Sequence, residues 1–457
     1  VIANPAAGFP PAFAWGVAAS AYQIEGAARE DGKGESIWDR FAATSGTMAD
    51  TGEVACDHYH RWQEDVGLMA RLGVGAYRFS VAWTRVLPEG TGAVNRAGLG
   101  FYDRLVDTLL DYGITPWLTL YHWDLPQALQ DRGGWPARRT VDAFVEYAGV
   151  VAEALGDRVT HWITHNEPWV ATMLGHREGV FAPGMRDWGA ALAAGHHLLL
   201  SHGRAVGAIR ATAPGARVGI ALDCRPSSPA SERPEDVAAS RHFDGFRNRW
   251  FFDPVFGKGY PEDMVAAYRE RGRIAGPGIR FVAPGDLGEI SAPLDFLGLN
   301  YYTSLRIAAG GEESEDTAVP AGPHPPPGHT EMGWPITPTA LTDYLVHLHR
   351  EYAPAEIVVT ENGASYSDGP DPAGVVDDRR RIAYLADHVE AVAEAIEAGV
   401  PVGGYFVWSL LDNLEWVAGF SQRFGLVWVD HATGRRIPKA SYRWYRDLIA
   451  GGSAVLA

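Results

Sequence analysis

Eight short, β-rich runs recur along this chain, each followed by a longer segment of helical periodicity, and no other feature narrows its fold as far. The runs are Ala14 to Ala19, Ala76 to Ala82, Thr115 to Tyr121, His161 to Asn166, Arg217 to Leu222, Phe296 to Tyr301, Glu356 to Glu361 and Gly404 to Ser409. Helices read between or after them over Ala55 to Leu72, Gly98 to Tyr112, Val141 to Leu155, Trp188 to Ala211, Pro234 to Trp250, Thr339 to Tyr352, Asp377 to Ala398 and Lys439 to Ile449. Alternation of this kind predicts parallel strands joined by crossover helices. Eight units in one run, with no glycine fingerprint of a dinucleotide site after the first strand, predict an α/β chain closed as a single (β/α)8 TIM barrel with long βα loops. Length alone would suggest about three domains, but such barrels reach beyond about 400 residues as one. One catalytic domain over residues 1–457 is therefore the expectation. The stretch Ala308 to Gly333, with Pro320, Pro323, Pro325, Pro326 and Pro327, has no periodicity and reads as a loop after the sixth strand.

Charge narrows the partners. The formal net charge is −17, which repels phosphate backbones and anionic lipid surfaces unless a basic patch overrides it. The densest arginine run, Arg379 to Arg381, follows Asp377 and Asp378 and suits a solvated helix start. A neutral small molecule fits best, with no nucleic acid and no membrane; a homo-oligomer stays open. Cys56 and Cys224 stand far apart without zinc or CxxC spacing, so a reducing, cytoplasmic compartment is expected. Val1 to Pro10 lacks a signal-peptide pattern, although a leader already removed would leave secretion open. His196, His197 and His202 lack the i, i+4 spacing of zinc-binding helices, and His58 with His60 matches no ligand pattern, so no metal and no cofactor are expected.

Two acidic residues close strand runs: Glu167 in Thr164-His165-Asn166-Glu167-Pro168, and Glu361 in Val359-Thr360-Glu361-Asn362-Gly363. Chemistry on such barrels sits at the C-terminal strand ends. Cleaving an acetal with retention needs a proton for the leaving oxygen and an anion for the oxocarbenium-like carbon, which two carboxyls about 5–5.5 Å apart supply. Their environments must differ, one raised by burial or by its anionic neighbour, the other kept ionised by donors and positive charge. Arg78 at the end of the second strand offers the charge, and Tyr302 after the sixth offers a hydroxyl. Taken singly, a strand-end glutamate is more often an exposed or capping carboxylate.

The joint pattern resembles glycoside hydrolase family 1, the β-glucosidase family, from Phe13 to about Trp444. The resemblance rests on Phe13-Ala14-Trp15-Gly16 with Tyr22-Gln23-Ile24-Glu25-Gly26, on Tyr121-His122-Trp123-Asp124-Leu125-Pro126, on Asn166-Glu167-Pro168, on Asn300-Tyr301-Tyr302, on Thr360-Glu361-Asn362-Gly363, and on the run from Trp408 to Trp416. It implies that Glu167 is the acid/base and Glu361 the nucleophile. It also implies that Gln23, His122, Asn166, Glu415 and Trp416 bind sugar hydroxyls while Trp408 and Phe424 offer ring faces, with Asn300 among the substrate-binding residues. Polar forks and aromatic faces match the hydroxyl rim and C–H faces of a pyranose. Asn166, beside the acid, is placed to bond a 2-hydroxyl. Trp123 and Trp334 fall on the aglycone side.

Blander readings stand beside these: His122 as a satisfied barrel histidine, Trp408 and Trp416 as ordinary core, Trp334 as a packed loop residue. Glu415, between Leu414 and Trp416, would be costly to bury unpaired, so burial there calls for a ligand or a cation. The chain departs from the family at Phe181, where a histidine usually precedes Ala-Pro-Gly, and at His165 and Leu414. These departures bear on aglycone preference and local packing.

The leading expectation is hydrolysis of terminal β-D-glucosyl residues from oligosaccharides or aryl and alkyl glucosides. Broad β-galactosidase or β-fucosidase activity is an alternative, since these sugars differ from glucose in few groups. Hydrolysis of 6-phosphoglycosides is disfavoured by the retained Glu415-Trp416 pair and by the lack of lysine between Lys258 and Lys439. A non-catalytic carbohydrate-binding barrel would normally have lost one of the two carboxylates.

Overall fold

The computed structural model describes residues 8–276, 278–310, 313 and 326–451. Eight parallel strands close a barrel in sequential order: β1 (Ala14–Ala18), β2 (Ala76–Ser80), β3 (Thr115–Tyr121), β4 (His161–Asn166), β5 (Arg217–Cys224), β6 (Phe296–Tyr301), β7 (Ile357–Asn362) and β8 (Val402–Trp408), with β1 pairing both β2 and β8. All eight expected strands are present, with ends shifted by at most two residues. The largest departure among the helices is the one expected over Pro234 to Trp250. It divides into an α-helix, Pro234–Asp244, a π turn, Gly245–Arg249, and a short α-helix, Trp250–Val255. Most of the loop expected over Ala308 to Gly333 lies outside the described residues. Among the described residues no helix is long and apolar enough to cross a membrane.

The barrel is filled, not hollow. Each strand gives one residue to an inner apolar layer: Ala18, Ala76, Trp117, Ile163, Ala221, Phe296, Val358 and Phe406. Trp117 meets Phe296 and Phe406 edge-on, with ring centroids 5.1 Å away in both cases, and small residues on neighbouring strands make room for these rings. A Cβ on Gly16 would lie 2.4 Å from the Phe406 ring, so glycine at that point of β1 is what lets phenylalanine occupy the barrel axis. A larger apolar cluster joins the outer strand faces to the helices. The helix Arg96–Asp111 shows the pattern that drives it, burying Phe101, Tyr102, Leu105, Val106 and Leu109 at helical spacing. Above the inner layer the inward positions turn polar, and there the site begins.

Candidate active site

Two β-bulges aim the chemistry. In β4, Ile163 points into the barrel, so strict alternation would send His165 inward and Asn166 outward. The register shifts between Ile163 and Asn166, and both Thr164 and His165 face the helix Trp188–Thr212, bonding His202 and Ser201 at 2.7 and 2.8 Å. Asn166 consequently faces the mouth. In β7 the inward residue is Val358, and alternation would place Glu361 outside. Its partners step from Leu299↔Val359 to Asn300↔Glu361, skipping Thr360, and the bulge turns the Glu361 carboxylate into the barrel while Asn362 bonds Tyr384 and Tyr405 outside.

Both glutamates line one cavity of about 440 Å³ at the C-terminal end of the barrel, a size suited to a small ligand. Glu361 accepts from Arg78 Nη1 at 2.5 Å through one oxygen and from the Tyr302 hydroxyl at 2.7 Å through the other. Arg78, itself only 1 % exposed, also donates to Asn166 Oδ1 at 2.5 Å. Asn300 Nδ2 donates to the same Asn166 oxygen at 2.9 Å and to Glu167 Oε1 at 2.7 Å, and Thr360 Oγ1 fixes the Asn300 oxygen at 2.7 Å. One continuous chain of hydrogen bonds thus links the two carboxylates through Arg78, Asn166 and Asn300. Glu167 follows β4 with φ +48°, a left-handed conformation that costs a non-glycine residue about 1–3 kcal/mol and persists only where its surroundings enforce it. Its own N–H is pinned to the Ala221 carbonyl of β5 at 2.9 Å.

The electrostatics of the two carboxyls are unequal. Burial, then the charges of Asp223 and Glu361, hold the Glu167 proton affinity well above the ordinary carboxylate range, with only Asn300 and Arg247 opposing. Burial also raises Glu361, but Arg78 and Tyr302 hold that rise back. His122 is driven far down by burial and by Arg78, so it is neutral. Its Nε2 faces the Asn166 amide at 3.1 Å.

Of the expected site residues, His122, Trp123, Glu167, Asn300, Tyr302, Trp334, Glu361, Trp408, Glu415, Trp416 and Phe424 all line the cavity. His122 stacks on Trp408 with centroids 5.7 Å apart, and Trp123 meets Trp416 at 4.5 Å. Arg78 and Asn166 are not among the lining residues; they bond Glu361, His122 and Asn300, which are. Gln23 is also set back: it is fully buried, takes a bond from Ser20 at 2.6 Å and gives one to the Leu414 carbonyl at 2.8 Å. It thereby holds the segment that presents Glu415. The Glu415 carboxyl has no cation beside it among the described residues, and its Oε2 is sealed without a partner. Burial and the Glu361 charge push it up to about 8.

A model of glycosyl hydrolase family 1 matches residues 6–453. The chain belongs to that family. Its relatives include "Beta-glucosidase A" of Thermotoga maritima, 46% identical over 96% of this chain and 97% of that protein, and a "Bifunctional beta-D-glucosidase/beta-D-fucosidase" of Bifidobacterium breve, 44% identical over 98% and 99%. The solved "Family 1 b-glucosidase from Thermotoga maritima in complex with isofagomine lactam" superposes with a TM-score of 0.89 at 46% identity, covering 97% of this chain and 99% of that one. The resemblance read from six motifs is therefore a family membership, and this family 1 hydrolase has the barrel expected of it.

Several cavity residues carry no signal in those motifs. Val170 and Leu174, from the π-helix Val170–Glu178, and Val180 and Phe181 form an apolar stretch of wall after Glu167. Phe181 packs on Trp38 and Trp123, with centroids 5.3 and 5.9 Å away. Asp223, Cys224 and Arg225 at the end of β5, with Arg247 from the π turn, form a charged stretch of the same cavity. Asp223 goes unflagged because the fifth strand run is read to end at Leu222, two residues short of its true end, where the strand-end rule would have caught it; Arg247 owes its position to a π turn that helical periodicity does not register. The three histidines weighed as metal ligands instead tie the helix Trp188–Thr212 to its surroundings, bonding Tyr260 and Asp286, the Trp135 carbonyl, and Thr164.

Proposed function

We propose that this family 1 hydrolase is a retaining β-glucosidase with Glu361 as nucleophile and Glu167 as acid/base, releasing terminal β-D-glucosyl residues from oligosaccharides or from aryl and alkyl glucosides. The observation that carries the reading is the unequal treatment of two carboxyls on one cavity, Glu361 clamped by Arg78 and Tyr302, Glu167 buried beside other anions. In the first step Glu361 bonds to the anomeric carbon while Glu167 gives its proton to the departing glycosidic oxygen, leaving a glycosyl ester and a free alcohol. Esterification removes the negative charge from Glu361, and the electrostatic push on Glu167 weakens. Now ionised, Glu167 takes a proton from water, whose oxygen attacks the anomeric carbon and returns Glu361 to the carboxylate. Two displacements give net retention.

Trp408, Trp416, Phe424, His122 and Glu415 surround the glucosyl unit in this reading. Glu415 stays unpaired in the protein because sugar hydroxyls are its partners, and Gln23 braces its segment. A 6-phosphate would meet that carboxyl group with no cation beside it among the described residues to hold the phosphate. The likeness to the Bifidobacterium breve enzyme favours β-fucoside hydrolysis as a second activity. Initial rates on aryl β-glucosides, β-galactosides and β-fucosides, with the first-formed anomer followed by NMR, test both readings. The expected product is β-glucose, and Glu361→Gly abolishes its release. An α-product, or a fully active Glu361→Gly variant, overturns the proposal.

A further inference from the structure

The barrel places a third carboxylate beside the acid/base. On β5 the inward positions are Ala221 and then Asp223. Ala221 is the residue whose carbonyl pins Glu167 N–H and whose register partner is Asn166, so Asp223, two residues on along the same face, looks into the cavity next to Glu167. Asp223 is ion-paired with Arg247, which reaches it from the π turn Gly245–Arg249. The guanidinium of Arg247 lies 3.8 Å from the centroid of Trp169, two residues past Glu167. Asn248, next in that turn, brackets the backbone of Arg225, accepting from its N–H at 3.0 Å and donating to its carbonyl at 3.2 Å. The π turn is thus locked to the end of β5, and both members of the pair are at least nine-tenths buried.

We propose that Asp223, tethered by Arg247, is a positioning residue for the Glu167 proton: it keeps that carboxyl loaded in the free enzyme and keeps it basic in the glycosyl-enzyme. The inference rests on Glu167 being the acid/base. What sets Asp223 apart from Glu361 is permanence. The charge of Glu361 disappears each time the glycosyl ester forms, whereas Asp223 takes no part in the covalent chemistry and its charge persists through both halves of the cycle. Without it, Glu167 would face the second half with only burial opposing its ionised form, and would be a weaker base for water.

The other groups around Glu167 do not duplicate this. Arg78 of β2 is bonded to Glu361 and Asn166, His122 just after β3 is neutral, and Asn300 of β6 and Tyr302 just after it are uncharged. Cys224, the last residue of β5, and Arg225 follow Asp223 along the cavity, Cys224 holding its proton through burial. Glu361 and Glu415 line the same cavity, and Arg247 is the cation that opposes Asp223 at Glu167.

The test is the pH dependence of kcat/KM for an aryl β-glucoside, whose basic limb reports the acid in the free enzyme. Asp223→Asn is expected to move that limb to lower pH by about one unit, the size of effect a neighbouring like charge exerts. Asp223→Glu is expected to keep the limb where the wild type has it. Since Asp223→Asn leaves Arg247 buried without its anion, the double variant Asp223→Asn with Arg247→Gln serves as the version without an orphaned ion. Its limb is also expected to fall, by a smaller step. A basic limb unmoved in both the single and the double variant overturns the inference, whatever the loss of kcat. Glu167→Gln separates this from failure of the underlying reading. If that variant keeps the basic limb, Glu167 is not the acid; if it loses the limb while Asp223→Asn leaves it in place, only the role of Asp223 falls.

Discussion

Arg78 and Glu361 form an ion pair of 2.5 Å beneath the cavity floor, with both side chains less than 5 % exposed. The pair joins the second strand to the seventh across the barrel and, through Asn166, fixes the carboxylate relative to the strand that ends at Glu167. Arg78→Met leaves a buried carboxylate without its cation, a change that costs about 3–5 kcal/mol in comparable cases. The expected outcome is a lowered Tm, together with a Glu361 that holds a proton at neutral pH. Activity at pH 7 then falls by more than about a hundredfold, a loss steeper than the loss of fold. Thermal melts and rates on the same samples check it.

Tyr302 donates to the other oxygen of Glu361. Tyr302→Phe removes one hydrogen bond to a charged group, worth about 1.5–3 kcal/mol, while leaving the ring beside Trp334 and Phe424 in place. A fall in kcat of about 10- to 100-fold is expected with little change in Tm. Unchanged kcat would show that the hydroxyl does not hold the nucleophile.

The Glu415 carboxyl, held at about 8, makes a prediction about stability. Its folded pKa lies above its unfolded one, so its contribution is fully present below the ordinary range near 4.5 and is lost as pH rises toward about 8. Glu415→Gln removes that loss. The variant without ligand is expected to have a higher Tm than wild type at pH 8 and a smaller advantage at pH 5, while KM for glucosides rises. Equal Tm differences at the two pH values would contradict the assigned burial.

Gly16 tests the packing of the barrel. Gly16→Ala forces a methyl against the Phe406 ring at 2.4 Å, and overpacking of this kind costs about 1–3 kcal/mol. Combining it with Phe406→Leu is expected to recover part of that loss, a non-additivity that denaturant titrations read directly.

Periodicity in the sequence reaches the strands but not the site. The strands could be read because buried parallel strands are short apolar runs with charge and glycine at their ends, and β3, β4 and β6 were read to the residue. Glu361 shows the limit. With Val358 inward, alternation alone would point its carboxylate at the helices, and it is its strand-end position together with the motif around it that places it in the site; the bulge at Thr360 has no signature in one sequence. Gln23 and Asn166 lie in recognisable motifs, yet the partners that fix them, Ser20 and the Leu414 carbonyl for one, Arg78 and Asn300 for the other, are side-chain bonds that a motif does not encode. The Asp223–Arg247 pair was missed because its two halves come from a strand end and from a π turn inside an apparently regular helix.

The most direct measurement traps the intermediate. Incubation with an activated 2-deoxy-2-fluoro-β-glucoside, which slows the second displacement, followed by intact mass and peptide mapping, should show one fluoroglucosyl group per chain on the peptide that holds Glu361. An adduct on another residue, or none while activity is lost, would contradict Glu361 as the nucleophile.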